Sequence, residues 1–171
     1  VTINSIGFAW SNNNNPPHTN WGIVRSTLNL YGTVDPALIT TVKNHSDLYL
    51  PTTYYDTPLE AATTYWYQLF AYNGNGITSL YSIIIVTQTY PPAPEHPLDF
   101  LGTAVSTTSI RWSWTDNALH ELGFRVYDSS GTLLTTVTQN TTSWLETDLT
   151  ANTSYYRYAE SYNITGSSAS D

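Results

Sequence analysis

Four histidines, His18, His45, His96 and His120, are the residues of this chain best suited to proton transfer or to zinc, and their spacing suits neither. No two of them stand at metal-ligand separation, and there is no cysteine to complete a set. The stretch "DNALHE" gathers Asp116, Asn117 and Glu121 into an oxygen-rich group. It lacks the glycine and the ligand order of a calcium loop, and reads as a capped turn. The 13 acidic residues are scattered, with no pair assignable to the two sides of a cleft as glycoside hydrolysis requires. The sequence has no nucleophile elbow, zinc-helix motif, P-loop or Rossmann fingerprint. The expectation is a chain without catalytic residues, metal site or cofactor.

Charge narrows the partners. Only 11% of the residues are charged and the net charge is −8, with Lys43 the single lysine. A polyphosphate needs clustered cations to displace its counterions, so nucleic acid is not an expected partner, and an anionic membrane surface is disfavoured on the same ground. The longest apolar run, Ile83 to Val86, is strand-sized, so membrane insertion is not expected. Thr, Tyr, Ser and Asn take the place of the missing charges. The first two favour strands and the last two favour turns, which points to an all-β chain.

The elements that organise these residues emerge when the chain is laid on itself. "LEAATTYWYQLFAYN" (Leu59 to Asn73) aligns without gaps on "LTANTSYYRYAESYN" (Leu149 to Asn163) at an offset of 90. "SIGFAWS" from Ser5 matches "SIRWSWT" from Ser109, "WGIVRST" from Trp21 matches "FRVYDSS" from Phe124, and "ITTV" from Ile39 matches "LTTV" from Leu134. The changing offset places an insertion in the first copy near residues 28–38. Between the copies lies "YPPAPEHP", residues 90–97, which reads as a stiff proline-rich connector. The expected division is a domain at 1–89, a linker at 90–97 and a domain at 98–171.

Alternation with period two assigns faces. Ile110, Trp112 and Trp114 point inward on one strand, and Ile6, Phe8 and Trp10 on its counterpart. Phe124 and Val126 point inward on the next strand, as do Trp21 and Ile23. Short strands separated by Gly, Asn, Asp and Pro turns make a sandwich pattern. Tyr156, Tyr158 and Tyr162 fall on the opposite, outward face, and Trp66, Phe70 and Tyr72 are their equivalents. They form a candidate contact surface for neighbouring domains, identical subunits or glycans. Cross-strand packing on the outer face is the simpler account of them.

The early-strand Trp, the L-x-x-x-T-x-Y segments (Leu59 to Tyr65; Leu149 to Tyr155) and the following Tyr-Asn and Gly turn resemble fibronectin type III domains. "WSWTDNALHELGFRVYDSSG" is similar to the bacterial branch of that family. The resemblance implies two immunoglobulin-like Greek-key β-sandwiches in tandem, built on Trp10, Trp112 and Trp114. It implies that Tyr65 and Tyr155 are tyrosine corners, with hydroxyls bonded to nearby backbone. It also places Arg157 where many relatives have an aliphatic residue. A buried arginine needs a carboxylate, and the family layout nominates Glu121 for an Arg157–Glu121 pair.

By the same alignment the first copy lacks a first strand and the second lacks a last one. Three accounts compete: a slice of a longer array, strands donated by neighbouring subunits, or incomplete domains stable as they are. Asn44, Asn140, Asn152 and Asn163 begin N-x-S/T sequons on expected turns, about as many as chance supplies. They are candidate glycosylation positions. Together these features suggest a non-catalytic extracellular or cell-surface structural protein, part of a surface layer, filament, sheath or adhesin. The alternative is an accessory, spacer or carbohydrate-binding region of a secreted polysaccharide-degrading enzyme.

Overall fold

The structure, a computed structural model, describes residues 1–11, 19–29, 40–44 and 53–170. The expected insertion at 28–38, the Asn-rich loop after Ser11, His18 and His45 lie wholly or mostly outside those residues. The chain forms two units, Val1–Tyr90 and Pro91–Asp171, and every described element is a β-strand.

In the first unit β1 (Ile6–Ala9) pairs antiparallel with β4 (Thr53–Asp56). The facing sheet runs β3-β2-β5-β6, formed by β2 (Asn20–Ser26), β3 (Thr40–Asn44), β5 (Thr64–Tyr72) and β6 (Ile85–Gln88). The second unit repeats the plan. Its smaller sheet is β11-β8-β7, from β7 (Leu98–Ser106), β8 (Ser109–Thr115) and β11 (Ser143–Glu146). Its larger sheet is β10-β9-β12-β13, from β9 (Gly123–Asp128), β10 (Leu133–Thr138), β12 (Arg157–Tyr162) and β13 (Ser167–Ala169). All the pairings are antiparallel, and the chain crosses between sheets from β1 to β2, β3 to β4, β4 to β5, β8 to β9, β10 to β11 and β11 to β12, as in a Greek-key immunoglobulin-like sandwich.

Period-two alternation accounts for both cores. Ile6, Ile23, Tyr65 and Tyr67 are buried together with Leu59, and Phe8, Trp10 and Leu69 pack on them. In the second unit Trp114, Phe124, Val126 and Ala159 form the buried cluster, joined by Phe100 and Trp144. The Phe100 ring stacks on Trp112 and Trp114 at 5.6 and 6.0 Å. Gly102 lies opposite Trp112 in the β7–β8 ladder, and a Cβ there would fall 2.5 Å from the indole. The absent side chain lets the tryptophan lie flat across the strand.

Two expectations about the second unit are corrected. The proline-rich residues from Pro91 to Pro97 belong to that unit. Ser161 Oγ donates to the Glu95 carbonyl at 2.6 Å, Asn163 Nδ2 to that of Pro92 at 2.7 Å, and Thr165 Oγ1 to that of Pro91 at 2.7 Å. Proline carbonyls keep their acceptor strength, so a segment that cannot donate in a ladder is fastened by serine and threonine hydroxyls. The last strand, expected to be missing, is present in short form. Asn163 Oδ1 accepts from the amides of Thr165 and Gly166, the chain reverses, and Ser167–Ala169 pairs with Glu160–Tyr162 of β12.

Trp114 is the residue on which the second core closes, at 5% exposure between Phe100 and Phe124. Trp114→Ala is expected to destabilise this unit by about 3–5 kcal/mol, a large part of a small domain's stability. Urea unfolding followed through the remaining tryptophans measures it, and a loss under 1 kcal/mol would contradict the packing described.

Candidate functional site

The most ordered polar chemistry in each unit is a carboxylate buried between its two sheets. Asp56 ends β4 and its side chain is 3% exposed. Arg25 Nη1, from β2 in the other sheet, donates to both its oxygens at 3.1 and 3.0 Å, and Tyr67 Oη of β5 donates to Oδ2 at 2.8 Å. Tyr67 ionises well above the ordinary tyrosine range. Burial is the main cause, then the hydrogen bond to Asp56 and its negative charge, opposed by Arg25. Tyr54 is raised too, by burial first and by Asp56 second.

Glu146, at the end of β11, holds the same place in the second unit at the same offset of 90. Arg157 Nε and Nη2 grip it as a fork, with Nη2–Oε1 at 2.7 Å and Nε–Oε2 at 3.1 Å, and Trp112 Nε1 donates to Oε2 at 2.7 Å. The expected Arg157–Glu121 pair is therefore corrected to Arg157–Glu146. Glu121 is buried elsewhere and accepts from the Asn140 amide at 3.3 Å. Family layout pointed to the wrong carboxylate because it could not show which strand end faces Arg157 across the sandwich.

The two clamps differ in the strand that supplies the guanidinium. Tyr67 and Arg157 are equivalent in the repeat. Arg25 lies opposite Tyr67 in the β2–β5 ladder, and Asp128 lies opposite Arg157 in the β9–β12 ladder. The arginine has moved one strand sideways at constant register, and the carboxylate has stayed. Asp128, with no clamp to serve, caps the turn to Thr132: hydrogen bonds from Ser130 and Thr132 hold its carboxyl below the usual range.

The tyrosine pair at the strand starts behaves alike in both units. Tyr65 Oη accepts from the Glu60 amide at 2.9 Å, and Tyr155 Oη from the Thr150 amide at 2.8 Å, each five residues upstream. Each ring also lies near the clamp arginine: Arg25 is 5.7 Å from the Tyr65 centroid and Arg157 5.1 Å from that of Tyr155.

The outward aromatics divide into two groups. Tyr158 stacks on Tyr127, its cross-strand partner, at 5.1 Å and 15°. Tyr162 lies 3.8 Å under the Arg125 guanidinium, which also pairs with Glu160 at 3.4 Å. Phe70 covers Gly22 and meets Tyr72 and Tyr81 at 6.0 and 5.2 Å. These residues, and half-buried Trp66, cover their own sheets. Tyr156 stands apart at 73% exposure. Of the sequon asparagines, Asn140 and Asn152 sit exposed on turns with positive φ, and the Asn163 amide is engaged with backbone on both sides; the Asn44 side chain lies outside the described residues. Among the described residues no group of three or more His, Asp or Glu is placed to hold a metal, and no helix is long and apolar enough to cross a membrane. Asp116 Oδ1 accepts from the Ala118 amide at 3.0 Å, the geometry of a capped turn.

No family model matches this chain, and no curated protein matches it. Among solved structures it is similar to the chicken CNTN1 FN1-FN3 domains, at 16% identity and a TM-score of 0.49, over 98% of this chain and 59% of that one.

Removing one partner of a buried ion pair strands the other, at a cost of about 3–5 kcal/mol. Arg157→Met is expected to destabilise the second unit by about that amount, whereas Glu121→Gln, which keeps its acceptor, changes stability by less than about 1 kcal/mol. Chemical denaturation of the two variants side by side checks the assignment. In the first unit Tyr67→Arg is expected to recover at least half of the loss caused by Arg25→Asp, because it recreates the second unit's arrangement.

Stability at high pH follows from Tyr67. A raised folded pKa makes its contribution complete below the ordinary tyrosine value of 10.0. Above that pH the unfolded tyrosine ionises first and the contribution falls. The first unit's unfolding midpoint should drop between about pH 10 and 12, and Tyr67→Phe should flatten that dependence. Equal slopes in both proteins would contradict the clamp.

Proposed function

From two fibronectin type III-like sandwiches in tandem, we propose a non-catalytic structural module, part of a larger extracellular surface layer, filament, sheath or adhesin, acting in spacing and in subunit or cell-surface contacts. The observation that supports this most is the use made of the ionisable groups. Arg25 and Arg157 are engaged with the deeply buried Asp56 and Glu146 in the ion pairs that close the two sandwiches. Chemistry concentrated between the sheets stiffens a unit and leaves its faces for contact.

A second reading, an accessory region of a secreted polysaccharide-degrading enzyme, draws on one feature. The outer face of the second unit carries the stacked Tyr127–Tyr158 pair, and Tyr156 is exposed beside it in sequence; sugar rings stack on aromatic side chains of this kind. Sedimentation across a concentration series, beside pull-down on insoluble polysaccharides, separates the two. The structural module is expected to assemble as concentration rises and to ignore the polysaccharides. Saturable polysaccharide binding abolished by Tyr156→Ser and Tyr158→Ser would replace it with the accessory reading.

A further inference from the structure

No free residue separates the two units along the chain. Tyr90 closes the first: its amide donates to the Thr2 carbonyl at 2.9 Å, and its carbonyl accepts from the Ala62 amide at 3.2 Å. Just before it Thr89 is buried, with Oγ1 donating to the Glu60 carbonyl at 2.6 Å and accepting from the Thr63 amide at 3.0 Å. Pro91 opens the second unit. Its carbonyl accepts from Thr165 Oγ1, and that of Pro92 accepts from Asn163 Nδ2.

These bonds leave the backbone little freedom. With amide and carbonyl both held, Tyr90 fixes the plane of the Tyr90–Pro91 peptide, and with it the nitrogen and Cα of Pro91, to the first unit. The pyrrolidine ring locks φ of Pro91 at about −65°. From the other side, Thr165 holds the Pro91 carbonyl, so the plane of the Pro91–Pro92 peptide belongs to the second unit. One rotatable bond is left, Cα–C of Pro91. Pro92 restricts that one too. Its Cδ clashes with the residue before it in the helical region and confines ψ to the extended well, roughly +120 to +160°.

We propose that the Cα–C bond of Pro91 is the whole joint between the units, so that the second unit swings about the first only within one narrow arc. Backbone hydrogen bonds hold the residue before the joint. A hydroxyl and a side-chain amide hold the residues after it, and two prolines stiffen what lies between. The restriction is local and covalent, and it rests on bonds made within each unit. This goes beyond the structural-module reading and holds equally for an accessory region. A spacer built this way keeps its angle as well as its length, which a flexible linker does not.

The test is NMR alignment of the whole chain, with residual dipolar couplings measured in both units. A single alignment tensor is expected to fit them all. Insertion of Gly-Ser-Gly-Ser between Tyr90 and Pro91 should split it into two tensors and shorten the rotational correlation time of each unit. Pro92→Gly is the sharper variant. It keeps the carbonyl that Asn163 binds and removes an exposed ring. Both units should stay folded, with amide shifts unchanged away from the substitution, while the common tensor is lost. Two tensors in the native chain would overturn the proposal. So would one tensor after the insertion, because the joint would then not be what orients the units. A Pro92→Gly chain that aligns like the native one would overturn it as well.

Discussion

A carboxylate enclosed between two sheets cannot be left unpaired, and that requirement governs how each half of this chain is put together. Asp56 and Glu146 end strands of the smaller sheets, and their arginines stand on the larger ones. Each pair joins the two layers in a chain that has no cysteine with which to do so. Ion pairing alone is a weak source of net stability, because desolvating both charges offsets most of the attraction. Its value here lies in specificity. An antiparallel strand that slips by one residue turns every side chain to the other face. A slipped β12 would carry Arg157 out of the interior and leave Glu146 charged, buried and alone.

The neutral donors complete the clamps. Tyr67 and Trp112 are core aromatics whose single polar atoms are aimed at the carboxylate, so each pays its own desolvation by satisfying the acid. The tyrosine corners add a second restraint at the strand entry, and the clamp arginines lie against those rings. Aromatic packing, corner and ion pair thus form one continuous contact in each unit. The sideways move of the guanidinium, from the β2 position to the β12 position, shows what is held constant. The acid and its burial are kept, and any neighbouring strand that can reach it at the right register will serve as the source of positive charge.

The outer faces obey a different rule. Glycine at Gly22 leaves a gap that Phe70 fills, and Tyr158 and Tyr162 find Tyr127 and Arg125 across the ladder. An outward aromatic is thus largely paired within its own sheet. The unpaired apolar surface is instead at an edge, where Ile83 and Ile85 face a core that no described strand closes.

Much of the fold was legible without coordinates. Period-two alternation placed Trp112, Trp114, Phe124 and Val126 in the interior, since side-chain direction in a strand depends only on parity, though Ile110 on the same face is only half-buried. The repeat offset revealed two units of one plan, since equivalent residues meet equivalent neighbours. The identity of Arg157's partner was not legible, because Glu121 and Glu146 are both acidic and only the crossing of strands between sheets decides which one arrives. The attachment of the proline-rich segment escaped notice because it rests on serine and threonine hydroxyls far away in sequence, a contact with no periodic signature. The sequence by itself determined which residues are buried and which strands are alike, for those follow from local parity and composition. Only the tertiary structure decided who is paired with whom, for that depends on distances between segments that the chain brings together only on folding.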